Sequence, residues 1–206
     1  HGAWTIGVKL PEDVPTVGEA LIEAGYSTAL IGKAHFQPLA TAPGSESIEC
    51  QPVLRDLEFW RGFNQTWYGF EHLELARNHA DESHAGQHYA IWLEERGLSD
   101  WRHYFQPLAG EISVKAPKAT ARGGYRRDER SWQLPADLHY THWTGERTLA
   151  YLDAHGRSEK PFFLWASFHD PHPPYVVSEP WASMYDPADM DVDQVTQGEH
   201  SRNPPH

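Results

Sequence analysis

The chain has 206 residues, enough for one domain with a sizeable core and too few for two comfortable domains. Its 17 lysines and arginines stand against 29 aspartates and glutamates, and the resulting net charge of −12 argues against nucleic acid or an anionic membrane as a general partner. The single cysteine excludes an internal disulfide framework and any multi-cysteine metal site. No apolar run approaches the roughly 20 residues that span a bilayer. The sequence does not begin with methionine and looks like the interior of a longer protein, so the compartment and the oligomeric state stay unknown.

The first predicted elements are a short helix and a buried strand. Thr16 is the expected N-cap, Glu19 completes a capping box and Gly25 ends the helix. Its predicted apolar face consists of Val17, Ala20, Leu21 and Ala24. The following run of β-forming apolar residues, closed by Gly32, predicts a buried strand. A helix that leads into such a strand is half of a βαβ unit, whose first strand we expect before residue 1.

Two segments are predicted to be loop-rich insertions. Residues 37–80 are punctuated by proline and glycine, and within them only residues 67–75 offer a short strand. Residues 106–137 are rich in lysine and arginine around Gly123 and Gly124. This second segment has two interpretations, a flexible basic flap over an anionic substrate or a solvated loop. Residues 186–206 are predicted to be an irregular tail.

Two further helices are predicted from apolar residues at helical spacing. The first is capped by Asp81 and ends at Gly97. Its apolar positions are Ala85, Tyr89, Trp92 and Leu93. The second begins at Tyr140, ends before Gly156 and leads into the apolar run 162–168. Its apolar positions are Trp143, Ala150, Tyr151 and Ala154. Because a helix followed by a buried strand occurs twice, the sequence predicts an α/β fold with a doubly wound sheet.

Polar side chains follow both predicted strands. Lys33 and His35 come directly after the first strand, and His172 follows the second within a proline-rich loop that restricts its backbone. In open α/β sheets ligands bind at the carboxyl ends of the strands. A lysine suits a tetrahedral anion, and a histidine can donate a hydrogen bond or transfer a proton near neutral pH. Asp170 could orient His169 or His172, or could simply cap the turn.

Three other features are weaker candidates. His84 and His88 lie four residues apart, but the glutamate of an H-E-x-x-H zinc motif is missing. Cys50 begins a sequence similar to C-x-P-x-R in which the arginine comes one residue late, so a buried free cysteine is the better interpretation. The chain has nine tryptophans, which favour stacking on a sugar or aromatic substrate. Of these, Trp92, Trp143 and Trp165 are more simply core residues.

Two stretches resemble the sulfatase family of the alkaline-phosphatase-like superfamily. Residues 16–28 follow the family pattern T-L-x-E-x-L-x-x-x-G-Y-x-T and lead into Gly32-Lys33-Ala34-His35, which is similar to G-K-W-H. Residues 161–174 follow P-F-F-L-x-x-S-F-x-x-P-H-x-P, and residues 69–71 resemble an intervening G-F-D. The resemblance implies a three-layer sandwich with a mostly parallel sheet, incomplete in this chain. Residues 1–206 would be the central part of the catalytic domain.

The resemblance also implies roles for the candidate residues. Lys33 would neutralise sulfate oxygens, His35 would hydrogen-bond the hydroxyl of the nucleophile, and His172 would bind the sulfate. The family uses a formylglycine made from cysteine or serine, together with a calcium ion held by hard oxygen ligands. Their motifs would precede residue 1 and follow residue 206. Ala34 replaces the usual tryptophan of the motif, which would widen the site.

The resemblance leads to three functional hypotheses. The first is a sulfuric ester hydrolase that acts on an aryl or carbohydrate sulfate through a covalent sulfo-enzyme intermediate. The second is a phosphonate monoester or phosphodiester hydrolase of the same superfamily, because a tetrahedral anion is common to both reactions. The third is a truncated chain that by itself is inactive and binds anions weakly.

Overall fold

The computed structural model describes residues 2–5, 7–40, 46–106, 131–191, 197–198, 201 and 203. Its helices are α1 (Val17–Glu23), α2 (Leu57–Gly62), α3 (Gln87–Glu95) and α4 (Tyr140–His155). Its strands are β1 (Ser27–Gly32), β2 (His72–Leu75), β3 (Ser131–Trp132), β4 (Phe162–Ser167) and β5 (Val177–Ser178). The chain therefore has the predicted α/β character.

The central element is a parallel sheet of three strands in the order β2-β1-β4. Successive side chains of β1 point to opposite faces. Ala29 and Ile31 pack with Tyr151 of α4 on one face, whereas Leu30 belongs to the larger apolar cluster on the other. Both faces of β1 are thus covered, as the continuous apolar run predicts.

β4 is less buried than predicted. It pairs with β1 and lies at the edge of the sheet that the structure describes, and none of its side chains is fully buried. Trp165 is 43% exposed, so its interpretation as a core residue is wrong, whereas Trp92 and Trp143 are buried as predicted. An apolar run shows that a strand can be buried on both faces, but only the neighbouring elements decide whether it is.

α1 has the predicted cap but buries a different side. The side chain of Thr16 accepts a hydrogen bond from the backbone N–H of Glu19, and the Glu19 carboxylate accepts one from the N–H of Thr16. Gly18 is the buried residue, and a Cβ there would come within 2.3 Å of the Gly69 carbonyl oxygen. Val17 is 64% exposed. The backbone of α1 packs closely against residue 69. The face predicted to be buried from the spacing of apolar residues is therefore wrong.

α3 begins later than predicted. Residues 81–86 lie outside the helix, and the carbonyl oxygens of Ser83 and Ala85 accept hydrogen bonds from the Arg55 side chain. These carbonyls are therefore bound by a side chain from another segment instead of by helical N–H groups. The predicted cap at Asp81 is wrong, while Gly97, with a φ of 88°, follows the helix end as expected.

The segment 37–80, predicted as loop, contains α2 as well as β2. Asp56 caps α2 through a side-chain hydrogen bond from the N–H of Phe59, and Leu57 and Trp60 are buried. An aspartate followed by two apolar residues three positions apart was the signal that pattern reading missed. Residues 107–130 of the second predicted insertion lie outside the described residues. Within the tail, the structure describes a 3₁₀ turn at Pro187–Asp189.

α4 starts at Tyr140 and ends before Gly156, as predicted. Trp143 and Tyr151 are buried, but Ala150 and Ala154 face solvent. Large aromatic side chains fill the space against the sheet, whereas an exposed alanine costs little free energy. In the described part of the chain, no helix is long and apolar enough to cross a membrane.

Candidate active site

The carboxyl ends of the three parallel strands meet at one edge of the sheet. The N–H of Lys33, directly after β1, donates to the Ser167 carbonyl at 3.0 Å. The N–H of Ala76, directly after β2, donates to the Gly32 carbonyl at 2.9 Å. His169, beyond β4, is buried and donates from Nε2 to the Ala76 carbonyl at 2.8 Å. Side chains that follow any of these strands are therefore directed to one region.

Gly32 allows β1 and β4 to approach each other at this edge. Its φ is 114°, which L residues with side chains rarely adopt. A Cβ at residue 32 would lie 2.0 Å from the Ser167 carbonyl oxygen. The glycine before Lys33 is therefore required by backbone conformation and by the packing of the two strand ends.

Lys33 is held by a histidine and a glutamate from the segment after β2. Its Nζ donates to Nε2 of His79, and Nδ1 of the same ring lies 2.8 Å from Oε2 of Glu82. An ammonium only donates, so Nε2 must accept and Nδ1 must carry the proton that it donates to Glu82. Burial lowers the pKa of His79, in agreement with a neutral ring. The glutamate thus fixes the tautomer that orients the ammonium.

His172 lies against the same histidine. The rings of His172 and His79 are stacked with centroids 3.7 Å apart and planes 3° from parallel. Nδ1 of His172 donates to the Pro173 carbonyl at 2.6 Å. The structure therefore brings Lys33 and His172 together through a shared contact, His79.

His35 belongs to the same cluster by its electrostatics. Partial burial, followed by the charges of Arg77, Lys33 and other nearby groups, lowers its pKa to about 4. The ring is therefore neutral at pH 7 and can take part as a hydrogen-bonding group. Burial and the neighbouring Arg77 also lower the pKa of Lys33 to about 8, so its ammonium form still dominates at pH 7.

A cleft of about 440 Å³ opens beside His35. Trp4 and Phe36 are among its lining residues, and the ring of Phe36 packs against those of Trp67 and Tyr68. Ala34, which replaces the tryptophan of the family motif, is buried in the core. The cluster of basic groups thus borders an opening with aromatic walls.

Pattern reading missed Arg77 and His79. Both follow β2 in the stretch Leu75-Ala76-Arg77-Asn78-His79, where an apolar run changes to polar residues. The same change from apolar to polar residues identified Lys33 after β1. Residues 67–75 form only a short run in which apolar and polar residues are mixed, so β2 was not predicted as an internal parallel strand. The available signal was the change from apolar to basic residues after residue 76.

Two predicted partners have other roles. Asp170 accepts hydrogen bonds from the hydroxyl groups of Tyr140 and Thr141, each at 3.0 Å. It therefore ties the loop that carries His172 to the start of α4. Of its two interpretations, orienting His169 or His172 is supported by no hydrogen bond among the described residues. His84 lies before α3, and Nδ1 of His88 accepts from the N–H of Leu75, so the two do not form a metal pair on one helix.

The described residues do not offer a ligand set for the metal that the family resemblance implies. No group of three or more histidine, cysteine or acidic side chains in the described residues could hold a metal ion. Cys50 is buried and contacts the carbonyl oxygens of Ser47 and Gln51, in line with its interpretation as a buried free thiol. We therefore assign no step to a metal or to a modified cysteine within these residues.

The fold and the cluster define an α/β protein in which a lysine and several histidines gather at the carboxyl edge of a parallel sheet. The family model described as Sulfatase matches residues 1–202, and the chain belongs to the sulfatase family.

Two curated relatives agree with this assignment. The "Multifunctional alkaline phosphatase superfamily protein PehA" of Trinickia caryophylli is 29% identical over 202 residues, covering 92% of this chain and 32% of that protein. The "Uncharacterized sulfatase YidJ" of Escherichia coli K12 is 22% identical over 208 residues, covering 100% of this chain and 32% of that protein. The chain spans about a third of the length of these relatives.

The Glu82–His79 pair leads to a prediction about Lys33. Replacing Glu82 with glutamine is expected to move the Lys33 pKa further below about 8, because the carboxylate charge now raises it. The pKa can be measured by NMR of labelled lysine side chains during a pH titration. Glu58→Gln on the exposed surface of α2 is the matched control and should leave Lys33 unchanged. An unchanged Lys33 pKa in Glu82→Gln would contradict the proposed coupling.

Proposed function

We propose that the protein to which this chain belongs hydrolyses sulfate esters, and that this chain supplies part of its sulfate-binding site. The observation that carries the proposal is the contact of Lys33 and His172 with the same histidine, His79, at the carboxyl edge of the sheet. Membership of the sulfatase family supports the same class of reaction. Displacement at sulfur moves negative charge onto the nonbridging and leaving oxygens, where fixed donors lower the barrier most.

Each residue has a distinct part in this proposal. The Lys33 ammonium, oriented by His79, neutralises a nonbridging oxygen of the sulfate. Neutral His35 donates a hydrogen bond to the attacking or departing oxygen. Because the Nδ1–H of His172 is already given to the Pro173 carbonyl, His172 donates to the sulfate from a protonated Nε2, as an imidazolium. The family resemblance implies that a formylglycine and a calcium ion complete the reaction, and we propose that segments outside residues 1–206 supply both.

The cleft beside His35 is our proposed site for the organic part of the ester. Its aromatic walls, Trp4 and Phe36, favour a flat apolar group or a sugar ring by stacking. This supports an aryl or carbohydrate sulfate as the substrate class.

A phosphonate monoester or phosphodiester is the second candidate substrate. A lysine and hydrogen-bonding imidazoles fit any tetrahedral oxyanion, so the cluster by itself does not select sulfur over phosphorus. The relative from Trinickia caryophylli is named as a multifunctional protein of the alkaline phosphatase superfamily, which favours more than one activity for the parent protein as well.

The test compares turnover by the parent protein of an aryl sulfate, an aryl phosphonate and a phosphodiester with the same leaving group. We expect the highest kcat/KM for the sulfate, while a preference for either phosphorus ester would favour the second candidate. Failure to hydrolyse all three would contradict both. The isolated 206-residue chain, assayed in parallel, is expected to release no sulfate.

A further inference from the structure

Arg77 is a buried cation that lacks a partner in the described part of the chain. Its residue surface is 2% exposed, and it is among the largest fully buried side chains. Its Nε is buried without a hydrogen-bond partner, and no ion pair joins its guanidinium to another described residue. By comparison, the Arg55 side chain donates to two backbone carbonyls and Arg147 pairs with Glu74.

Such a group is costly unless something binds it. A guanidinium carries five N–H donors, stays charged at every relevant pH and loses its hydration when buried. Two carboxylates, Glu49 and Glu82, act on Arg77 only by the electrostatic effect of their negative charge, which raises its pKa and opposes the effect of burial. One oxygen of Glu49 accepts from the N–H of Gln37, and one oxygen of Glu82 accepts from His79. Neither glutamate forms an ion pair with Arg77, and in the described part of the chain its buried Nε has no acceptor.

The position of Arg77 places its charge beside the candidate active site. In the parallel pairing of β1 and β2, Gly32 is opposite Leu75, and each strand then continues to its basic residues. The charge of Arg77 is the main cause, after burial, of the lowered pKa values of Lys33 and His35. Burial also lowers the pKa of Arg77 itself, which shows that the fold opposes its charge. The charges of Arg77 and Lys33 act on each other, so both add to the positive electrostatic potential at the carboxyl edge of the sheet.

We propose that the Arg77 guanidinium binds the nonbridging oxygens of the substrate's tetrahedral anion, opposite the Lys33 ammonium. A guanidinium fork matches two oxygens of a sulfate, phosphate or phosphonate, so it fixes the orientation of the anion as well as its charge. A tetrahedral anion would satisfy the buried donors and relieve the repulsion between Arg77 and Lys33. Only the identification of this anion as part of a substrate rests on the proposed function.

The competing explanation is structural. In that case Arg77 would be the distant counter-charge of Glu49, a fully buried carboxylate whose pKa burial raises to about 7. The two explanations differ in the effect of removing Arg77. A structural counter-charge stabilises the unliganded chain, whereas an unsatisfied binding group destabilises it until the anion is bound.

The test measures the binding of inorganic sulfate and of inorganic phosphate to the 206-residue chain by calorimetry, together with thermal unfolding without anion. Arg77→Met is expected to weaken sulfate binding roughly tenfold to hundredfold, the usual loss of a charge-assisted hydrogen bond. Its unfolding temperature without anion should equal or exceed that of the unchanged chain. Arg77→Lys should recover part of the affinity, and Arg61→Met, on the exposed surface of α2, should have no effect on binding.

Each outcome decides the proposal. Unchanged sulfate and phosphate affinity in a folded Arg77→Met variant would overturn it. So would a lower unfolding temperature of the variant without anion, combined with full recovery of stability in Arg77→Met/Glu49→Gln, because this pattern indicates a counter-charge. Binding is measured without turnover, so loss of affinity in Arg77→Met supports the proposal even if the parent protein hydrolyses no sulfate ester. Conversely, a parent protein that hydrolyses sulfate esters equally well without Arg77 would sustain the proposed function and end this inference.

Discussion

Replacing Lys33 with methionine is expected to weaken sulfate binding to the chain roughly tenfold to hundredfold and to lower kcat/KM of the parent protein by about 10² to 10³. The ammonium that His79 orients would be lost, while methionine keeps a similar length and fills the partly buried position. Calorimetry with inorganic sulfate gives the first quantity, and steady-state kinetics with an aryl sulfate gives the second.

Lys160→Met is the matched control for this prediction. Lys160 lies near the amino end of β4, at the opposite edge of the sheet, and its ammonium is 3.9 Å from the Glu71 carboxylate. The control should bind sulfate like the unchanged chain. Equal losses in the two variants would mean that sulfate responds to net charge, and the assignment of Lys33 to the site would then be abandoned.

The same lysine determines an expected pH dependence. Its pKa is about 8, so the anion-binding ammonium form decreases as the pH rises through that value. The pKa of His35 is about 4, so this ring stays neutral across the same range. Sulfate affinity of the chain should therefore fall between pH 7 and pH 9, and this fall should be smaller in Lys33→Met, where Glu49, whose pKa burial raises to about 7, still gains charge near the start of that range.

Gly32→Ala is expected to destabilise the folded chain by roughly 2–5 kcal/mol. The added Cβ would lie 2.0 Å from the Ser167 carbonyl oxygen, and the residue would have to keep a φ of 114°. Relief of the contact requires the carboxyl ends of β1 and β4 to move apart, which displaces Lys33 from the segment after β4. Chemical denaturation gives the change in the free energy of unfolding.

Gly145→Ala in α4 provides the control, because nothing lies within 4 Å of the Cβ it would add. Alanine is favoured over glycine inside a helix, so this variant should be as stable as the unchanged chain or more stable by about 0.5–1 kcal/mol. If Gly32→Ala were equally stable, the close approach of the two strand ends would not constrain the site as described.

Sequence patterns correctly predicted those elements that depend on residues close together in the sequence. The capping box of α1, the buried strand β1 and the bounds of α4 all depend on nearest neighbours along the chain, and all three are confirmed. Longer-range effects caused the errors. α3 starts late because Arg55 binds the carbonyls that precede it, and α1 buries Gly18 because the backbone of residue 69 lies against it.

The sequence by itself determined the sulfatase family, through motif residues in a fixed order, and it identified Lys33, His35 and His172 as candidates because each follows an apolar run. Only the tertiary structure decided that His79 joins two of them and that the buried Arg77 beside them has no partner for its Nε among the described residues. The physical reason is that strands of a parallel sheet pair across long stretches of sequence. Pairing of β1 with β2 and β4 brings together residues more than 40 and 130 positions apart, and no local pattern along the chain records that proximity.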